Sequence, residues 1–421
     1  MSSALKTSVA AFALVFIPVV CTAATYTPIP AGFDFPADGA KLLAQVKTDD
    51  QAALRTHAWM VFAGLTQPAR PAEADSEAVW ETWYSNAEVF GLGPALQGKR
   101  PLQRIFVVPR QFKAKGPGLE AIGASALSFT LFNQPLRDHT RNNKLQMTAT
   151  LAALDAGWTP QTNVADRKIK DYPIDAVSVK VVWKLVKRTG LTTLPVWDTK
   201  APVAVAPAQP ESQWDRVVLI DPTRSKIPAN ETRDVNSFGK LFKGARVVPL
   251  NAFYHFKLSS TQAQQANASG AVSGAATGDY VAVVAMHNTT KEIPDWVWAT
   301  FWWHDKPNAG RFSENRPDAK ALTGVWRNYL MSAAYSMDSP KEADGTPPTV
   351  FNPYLEARFA NGANSNCMTC HRQAVWSKND NQPNFLPVTR GSPMPDDPRF
   401  KNGTASDFLW SLLYEGNQPQ P

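Results

Sequence analysis

At 421 residues, 44% hydrophobic and 19% charged, the chain has an ordinary globular balance and can bury a large core in two closely packed parts. Its formal charge of +7 favours an acidic redox partner or an anionic substrate, and no basic run points to nucleic acid. Thirty-four prolines and 23 glycines imply many turns and long ordered loops, and 14 tryptophans are many for this length.

The amino terminus reads as a secretory leader over residues 1–24. It has one positive charge at Lys6, an apolar run over 9–20 and small residues at Thr22, Ala23 and Ala24. The run is too short for a stable membrane span. Cys21 would suit a lipoprotein, but Val20 before it is bulkier than such sites carry. Cleavage near Ala23 or Ala24 is therefore expected to yield an exported product with no transmembrane segment in the mature chain.

Residues 37–66 have helical spacing at Leu42, Leu43, Val46, Leu54, Ala58, Val61, Phe62 and Leu65, and Pro68 ends the run. A second helix is expected over 79–90, closed by Gly91 and Gly93, and a short strand over 105–108. His57 and His139 read as ordinary surface or satisfied core histidines. The period then changes. Residues 174–186 alternate, with Val177, Val179, Val181 and Trp183 on one side and Ser178, Lys180 and Lys184 among the others. Further strands are expected over 214–220, 245–250 and 253–258. A Pro/Ala connector spans 199–210, and an Ala/Gly/Ser/Gln tract over 259–278 reads as a mobile excursion.

Two apolar strands follow. In 280–288 one face carries Val281, Val283, Ala285 and His287. In 296–304 alternation puts Trp296, Trp298 and Trp302 on one side and Val297, Phe301 and Trp303 on the other, the pattern of a strand covered on both faces. Such strands are either plain sheet core with two structural histidines, His287 and His304, or one wall of a cofactor pocket. A helix is expected over 325–335 and a linker over 339–349, which separates an α+β part (25–338) from a last segment (350–421). That segment opens with a short helix over 352–359, with Pro353 in its first turn, and closes with a helix over 406–414.

Between those helices lies Cys367-Met368-Thr369-Cys370-His371, the Cys-x-x-Cys-His attachment signature of c-type haem. One helical turn puts both thiols on the same edge of a porphyrin, where they can add to its two vinyl groups. His371 then lies under the ring and offers an imidazole nitrogen to the iron. The rival readings are a chance pentapeptide, a redox pair or a zinc pair. Against them, Cys21 falls in the leader, so the mature chain keeps only the two motif cysteines; no second pair completes a zinc site. Export agrees with the motif, because c-type haem is attached on the far side of the bacterial inner membrane. There is no phosphate-binding Gly loop, no Gly-x-Ser-x-Gly and no His-Glu-x-x-His, and the pairs Asp49-Asp50 and Asp396-Asp397 read as cap and loop residues.

The order short helix, Cys367-x-x-Cys370-His371, Ser392-Pro393-Met394-Pro395 and terminal helix resembles class I cytochrome c over about the last 70 residues. The resemblance implies that Met394 is the second axial ligand. It also implies that the first and last helices of the segment cross beside the haem. The loop departs from the family, since only 22 residues separate His371 from Met394. The segments 294–301, 352–356 and 407–411 resemble those of exported bacterial cytochrome c family proteins, which implies haem and export and assigns no reaction.

The expected fold is α+β, a largely antiparallel sheet domain with flanking helices followed by a short α-helical haem segment. The expected function is that of a periplasmic monohaem c-type cytochrome in electron transfer, with one covalent haem and a redox protein as partner. The alternative is a haem-dependent oxidoreductase with a small-molecule substrate bound between the α+β part and the haem. The distal iron ligand stays open among Met394, His287, His304 and none.

Overall fold

The structure is a computed structural model that describes residues 23–73, 76–91, 127–198, 209–359, 361–378 and 403–415. Residues 100–101, 104, 106–107, 391–392 and 400 are described between them. The fold is α+β. Its centre is a seven-stranded antiparallel sheet built from β1 (Tyr84–Ser85), β2 (Leu127–Phe132), β3 (Val177–Val186), β8 (His255–Lys257), β9 (Tyr280–Thr290), β10 (Val297–Trp303) and β11 (Tyr329–Ala334). The spatial order is β11-β10-β9-β3-β2-β1, with β8 paired to β9. A second sheet holds β4 (Thr192–Pro195), β5 (Val217–Asp221), β6 (Thr232–Ser237) and β7 (Lys240–Pro249) in the order β4-β5-β7-β6, with β5 and β7 parallel.

The helical stretch over 37–66 is two helices, α1 (Gly39–Lys47) and α2 (Gln51–Leu65). Asp49 sits at φ 54°, and the Asp50 side chain accepts the Ala53 N–H, so the pair of aspartates stops one helix and caps the next. α2 covers one face of the central sheet. Its Phe62 stacks on Phe301 with ring centroids 3.8 Å apart, and Trp59 packs on the same ring at 5.3 Å. Phe301, Met286, Val181 and Phe129 form a continuous cross-strand row beneath it.

Several expectations are corrected. Residues 79–90 form a 3-10 turn, β1 and a five-residue helix α3 (Asn86–Phe90), because Ser85 and Glu88 make a reciprocal cap that starts the helix late. The tract over 259–278 contains α6 (Ser260–Ala268), started by a capping box between Ser259 and Gln262 and buried through Ala263 and Ala266. Residues 325–335 are a 3-10 turn, Gly324–Asn328, followed by strand β11. Its residues are apolar on both sides, which suits either period, and β10 supplies the ladder partners that decide it. Residues 353–358 make successive turns rather than a regular helix. Of the strand expected over 105–108, Val107 makes an antiparallel bridge to Ser128. The leader residues 1–22 and most of the 199–210 connector lie outside the described residues.

β9 carries the correction that matters most. Its register on β3 shifts between Val283 and Ala285, so Val283 sits opposite Trp183 and Ala285 opposite Val182. Those β3 neighbours point to opposite faces, so the bulge turns Ala285 and His287 away from Val281 and Val283. His287 thus faces away from α2.

The carboxy-terminal segment covers that second face. It contains α7 (Cys367–Arg372), the short pair β12 (Val375–Trp376) and β13 (Thr404–Ala405), and α8 (Trp410–Glu415). Its buried Met368, Trp376, Leu409 and Leu412 share one apolar cluster with Phe90 and with Phe132 and Leu136 at the β2–α4 junction, where α4 spans Gln134–Asn142. Ala405 also exchanges backbone hydrogen bonds with Arg167 and Ile169. Residues before and after 339–349 therefore bury a common surface.

Candidate functional site

α7 begins where the backbone is most constrained. The Asn366 side-chain Oδ1 accepts the Met368 N–H at 2.9 Å, and its Nδ2 donates to the Pro348 carbonyl at 3.1 Å. The Cys367 N–H donates to the Val350 carbonyl at 3.0 Å, and the Val350 N–H donates to Ser365 at 2.8 Å. The first turn is thereby fixed to 348–350. Cys367 and Cys370 are three residues apart on this helix and so share an edge of it. Cys367 is buried, and its thiol donates weakly to the Val350 carbonyl at 3.2 Å. Burial pushes that thiol well above the usual range, and the neighbouring Glu356 and Cys370 add to the shift.

His371 is oriented from two sides. Its Nδ1 lies 2.9 Å from the Phe408 carbonyl, and its ring lies against Trp298 with centroids 4.1 Å apart. A carbonyl can only accept, so Nδ1 carries the proton and Nε2 the lone pair. Burial holds the imidazole down at about 4; the Phe408 bond opposes this and the Lys180 charge adds to it. Near neutral pH His371 is therefore an uncharged base with Nε2 as its donor atom. Two thiols on one helical edge and an imidazole fixed through its other nitrogen are the donor set that covalent haem requires, and they fit it.

Behind the motif, the sheet face opposite α2 carries a polar row. Thr130, Lys180, His287, Thr300 and Ser332 are consecutive cross-strand partners from β2 to β11. The adjacent row includes Trp298, the residue that packs on His371. Asn352 covers Thr300, donating to its hydroxyl at 2.7 Å and to the Phe301 carbonyl at 3.0 Å. The Asn352 N–H donates to Glu356 Oε2 at 2.7 Å, which leaves Oε1 3.6 Å from His287 Nε2. That distance would suit an ion pair, but burial pushes both groups toward their neutral forms. It raises Glu356 to about 7 against the pull of the Asn352 N–H and Lys180. It lowers His287 well below its ordinary value, helped by Lys180 and His371. Desolvation is the largest influence on each, and it opposes the charged pairing that the distance alone would suggest.

The structure thus brings Cys367, Cys370, His371 and His287 to one face, and it takes His304 elsewhere. His304 directly follows β10, six residues beyond Trp298 and about 20 Å along the extended chain. Its Nδ1 accepts the Lys306 N–H at 3.0 Å, and Nε2 lies 3.5 Å from Asp198 and 3.4 Å from Arg216. His304 is a satisfied structural histidine. His57 is another, with Nδ1 2.7 Å from the Tyr335 hydroxyl and Nε2 3.1 Å from Glu292. His139 Nε2 lies 3.1 Å from the Lys170 carbonyl. Met394, its flanking prolines and the Asp396-Asp397 pair lie outside the described residues.

Sequence reasoning missed Glu356, Asn352 and the placement of Lys180. The signal for the first two was Asn352-Pro353 with an acidic residue one turn on, a cap pattern. Lys180 had none, because alternation alone cannot tell a solvated sheet face from one covered by a distant segment.

Among the described residues, no helix is long and apolar enough to cross a membrane. No group of three or more His, Cys, Asp or Glu among them could hold a bare metal ion; haem iron needs only one or two protein ligands. The chain is an α+β protein in which a Cys/Cys/His helix lies over the polar face of the central sheet. No family model, no curated protein and no solved structure matches the chain.

Proposed function

We propose that this chain is an exported, periplasmic c-type cytochrome that carries one haem and transfers electrons. Cys367 and Cys370 would form the thioethers and His371 would be the proximal ligand. The observation that carries the reading is the geometry of α7: both thiols lie on one edge, and the His371 imidazole is held through Nδ1 so that Nε2 is the basic atom. When bound, haem supplies one-electron redox chemistry.

The chain's own residues set the conditions for it. The Phe408 carbonyl fixes the imidazole's tautomer and raises its basicity, and the Trp298 ring limits its rotation. The cluster of Trp298, Phe408 and Leu409 excludes water from this side of the motif. Met394 in its Pro-Met-Pro setting is the candidate second ligand by resemblance to class I cytochrome c. The net positive charge favours an acidic redox protein as partner.

A second reading, a haem-dependent oxidoreductase, is favoured by the polar row. A Glu356 carboxyl near neutral pKa beside a neutral His287 forms a proton donor and acceptor pair at physiological pH. Spectra of the purified protein with and without carbon monoxide separate the two readings. Six-coordinate low-spin iron that refuses carbon monoxide supports the carrier. Five-coordinate high-spin iron that binds it supports the enzyme.

A further inference from the structure

The Phe408 carbonyl that receives the His371 proton stands in an unusual backbone. Asp407 and Phe408 have φ of 48° and 68°, two consecutive left-handed residues without a glycine between them. Each costs free energy for a residue with a Cβ, so the turn persists only if its surroundings over-determine it. Ser406 ties one side to α7's trailing strand, its N–H and hydroxyl both donating to Ala374 at 2.9 Å. The other side is held by charge. Asp407 Oδ1 accepts from Lys291 Nζ at 2.7 Å, and Oδ2 accepts the Tyr172 N–H at 3.0 Å.

Both charged side chains are buried, 5% exposed for Lys291 and 4% for Asp407. Lys291 directly follows β9, and its own N–H donates to the Ala176 carbonyl at 3.0 Å. Its ammonium also donates to the Pro294 carbonyl at 2.6 Å and lies 5.5 Å from the Trp296 ring. The pair therefore links the end of the sheet strand that carries His287 to the turn that orients His371. A buried ion pair adds little net stability over a well-packed apolar pair. What this one supplies is a fixed position for a strained turn.

We propose that the buried Lys291–Asp407 ion pair is the positioning device for His371. It holds the left-handed Asp407–Phe408 turn against the end of β9. The Phe408 carbonyl then receives Nδ1–H, and Nε2 is the nitrogen left for a ligand. Lys291 and Asp407 are positioning residues, since neither touches the imidazole. The inference rests on the haem reading for what Nε2 binds, but not for how the ring is held.

The test is nitrogen-15 NMR of the full-length, uniformly labelled chain, reading the tautomer of His371 and the exchange rate of its Nδ1–H. Backbone amides of β10 and β11 report the fold in the same sample. In Asp407→Asn and Lys291→Met, Nδ1–H exchange is expected to rise at least tenfold while those sheet amides keep their protection. The double variant Lys291→Met/Asp407→Asn leaves no lone buried charge, so it decides the matter if either single variant fails to fold. Wild-type tautomer and exchange in the double variant would overturn the proposal. The same measurement runs on the chain with or without haem. A chain that is colourless after export, and whose His371 still loosens in the variants, would therefore refute the haem reading and uphold the positioning.

Discussion

Replacing Glu356 by glutamine tests whether burial behind the motif favours the protonated carboxyl. The carboxyl is raised from 4.5 to about 7, with burial the largest cause. A shift of that size corresponds to about 3 kcal/mol, and partial solvent access to the side chain reduces it to roughly 2 kcal/mol. The sign follows from linkage. A carboxyl raised by folding contributes stability that is fully present below its unfolded value near 4.5. That contribution is lost as pH rises through about 7, because the unfolded chain then ionises more readily than the folded one. Glutamine keeps an oxygen for the Asn352 N–H, which now donates to Glu356 at 2.7 Å, and it never ionises. In urea unfolding with unchanged m, Glu356→Gln should match wild type within roughly 0.5 kcal/mol at about pH 4 and exceed it by roughly 2 kcal/mol at about pH 8. If the variant is instead the less stable protein at the higher pH, the Glu356 carboxylate is stabilised by pairing with His287, and burial does not favour its protonated form.

Three further outcomes are expected. Asn352→Ala removes the donors to Thr300 and Phe301, strands a fully buried hydroxyl, and should cost about 2–4 kcal/mol by thermal or urea unfolding. Met394→Ala should lower the reduction potential and admit carbon monoxide; an unchanged potential and spectrum would make the methionine a loop residue and turn attention to His287. Deleting residues 1–23 should leave a colourless cytoplasmic chain, and normal haem content in that deletion would refute the link between export and maturation.

The parts that the chain announces are those set by local chemistry. The long apolar runs of β3, β9 and β10 read as strands, and the Cys367–Cys370 spacing reads as one helical turn, which the structure builds as α7. What sequence could not supply were the decisions made by partners far along the chain. The bulge at Val283/Ala285 depends on pairing with Trp183 and Val182 of β3, far earlier in the chain, and it alone decides which face His287 occupies. β11 resembled a helix because apolar residues on both faces carry no clear period, and β10 resolved it. α6 was hidden by low-complexity composition although Ser259 and Gln262 spell a capping box. Lys291 and Asp407, 116 positions apart, give no sign in sequence that they meet.

Covalent attachment of haem at Cys367 and Cys370 is checked by acid–acetone extraction of the purified full-length protein. The colour should stay with the protein, and the intact mass should exceed the polypeptide's by one haem. Cys367→Ala with Cys370→Ala should abolish both. A colourless protein with two free thiols, or colour that leaves completely with the solvent, would overturn the attachment.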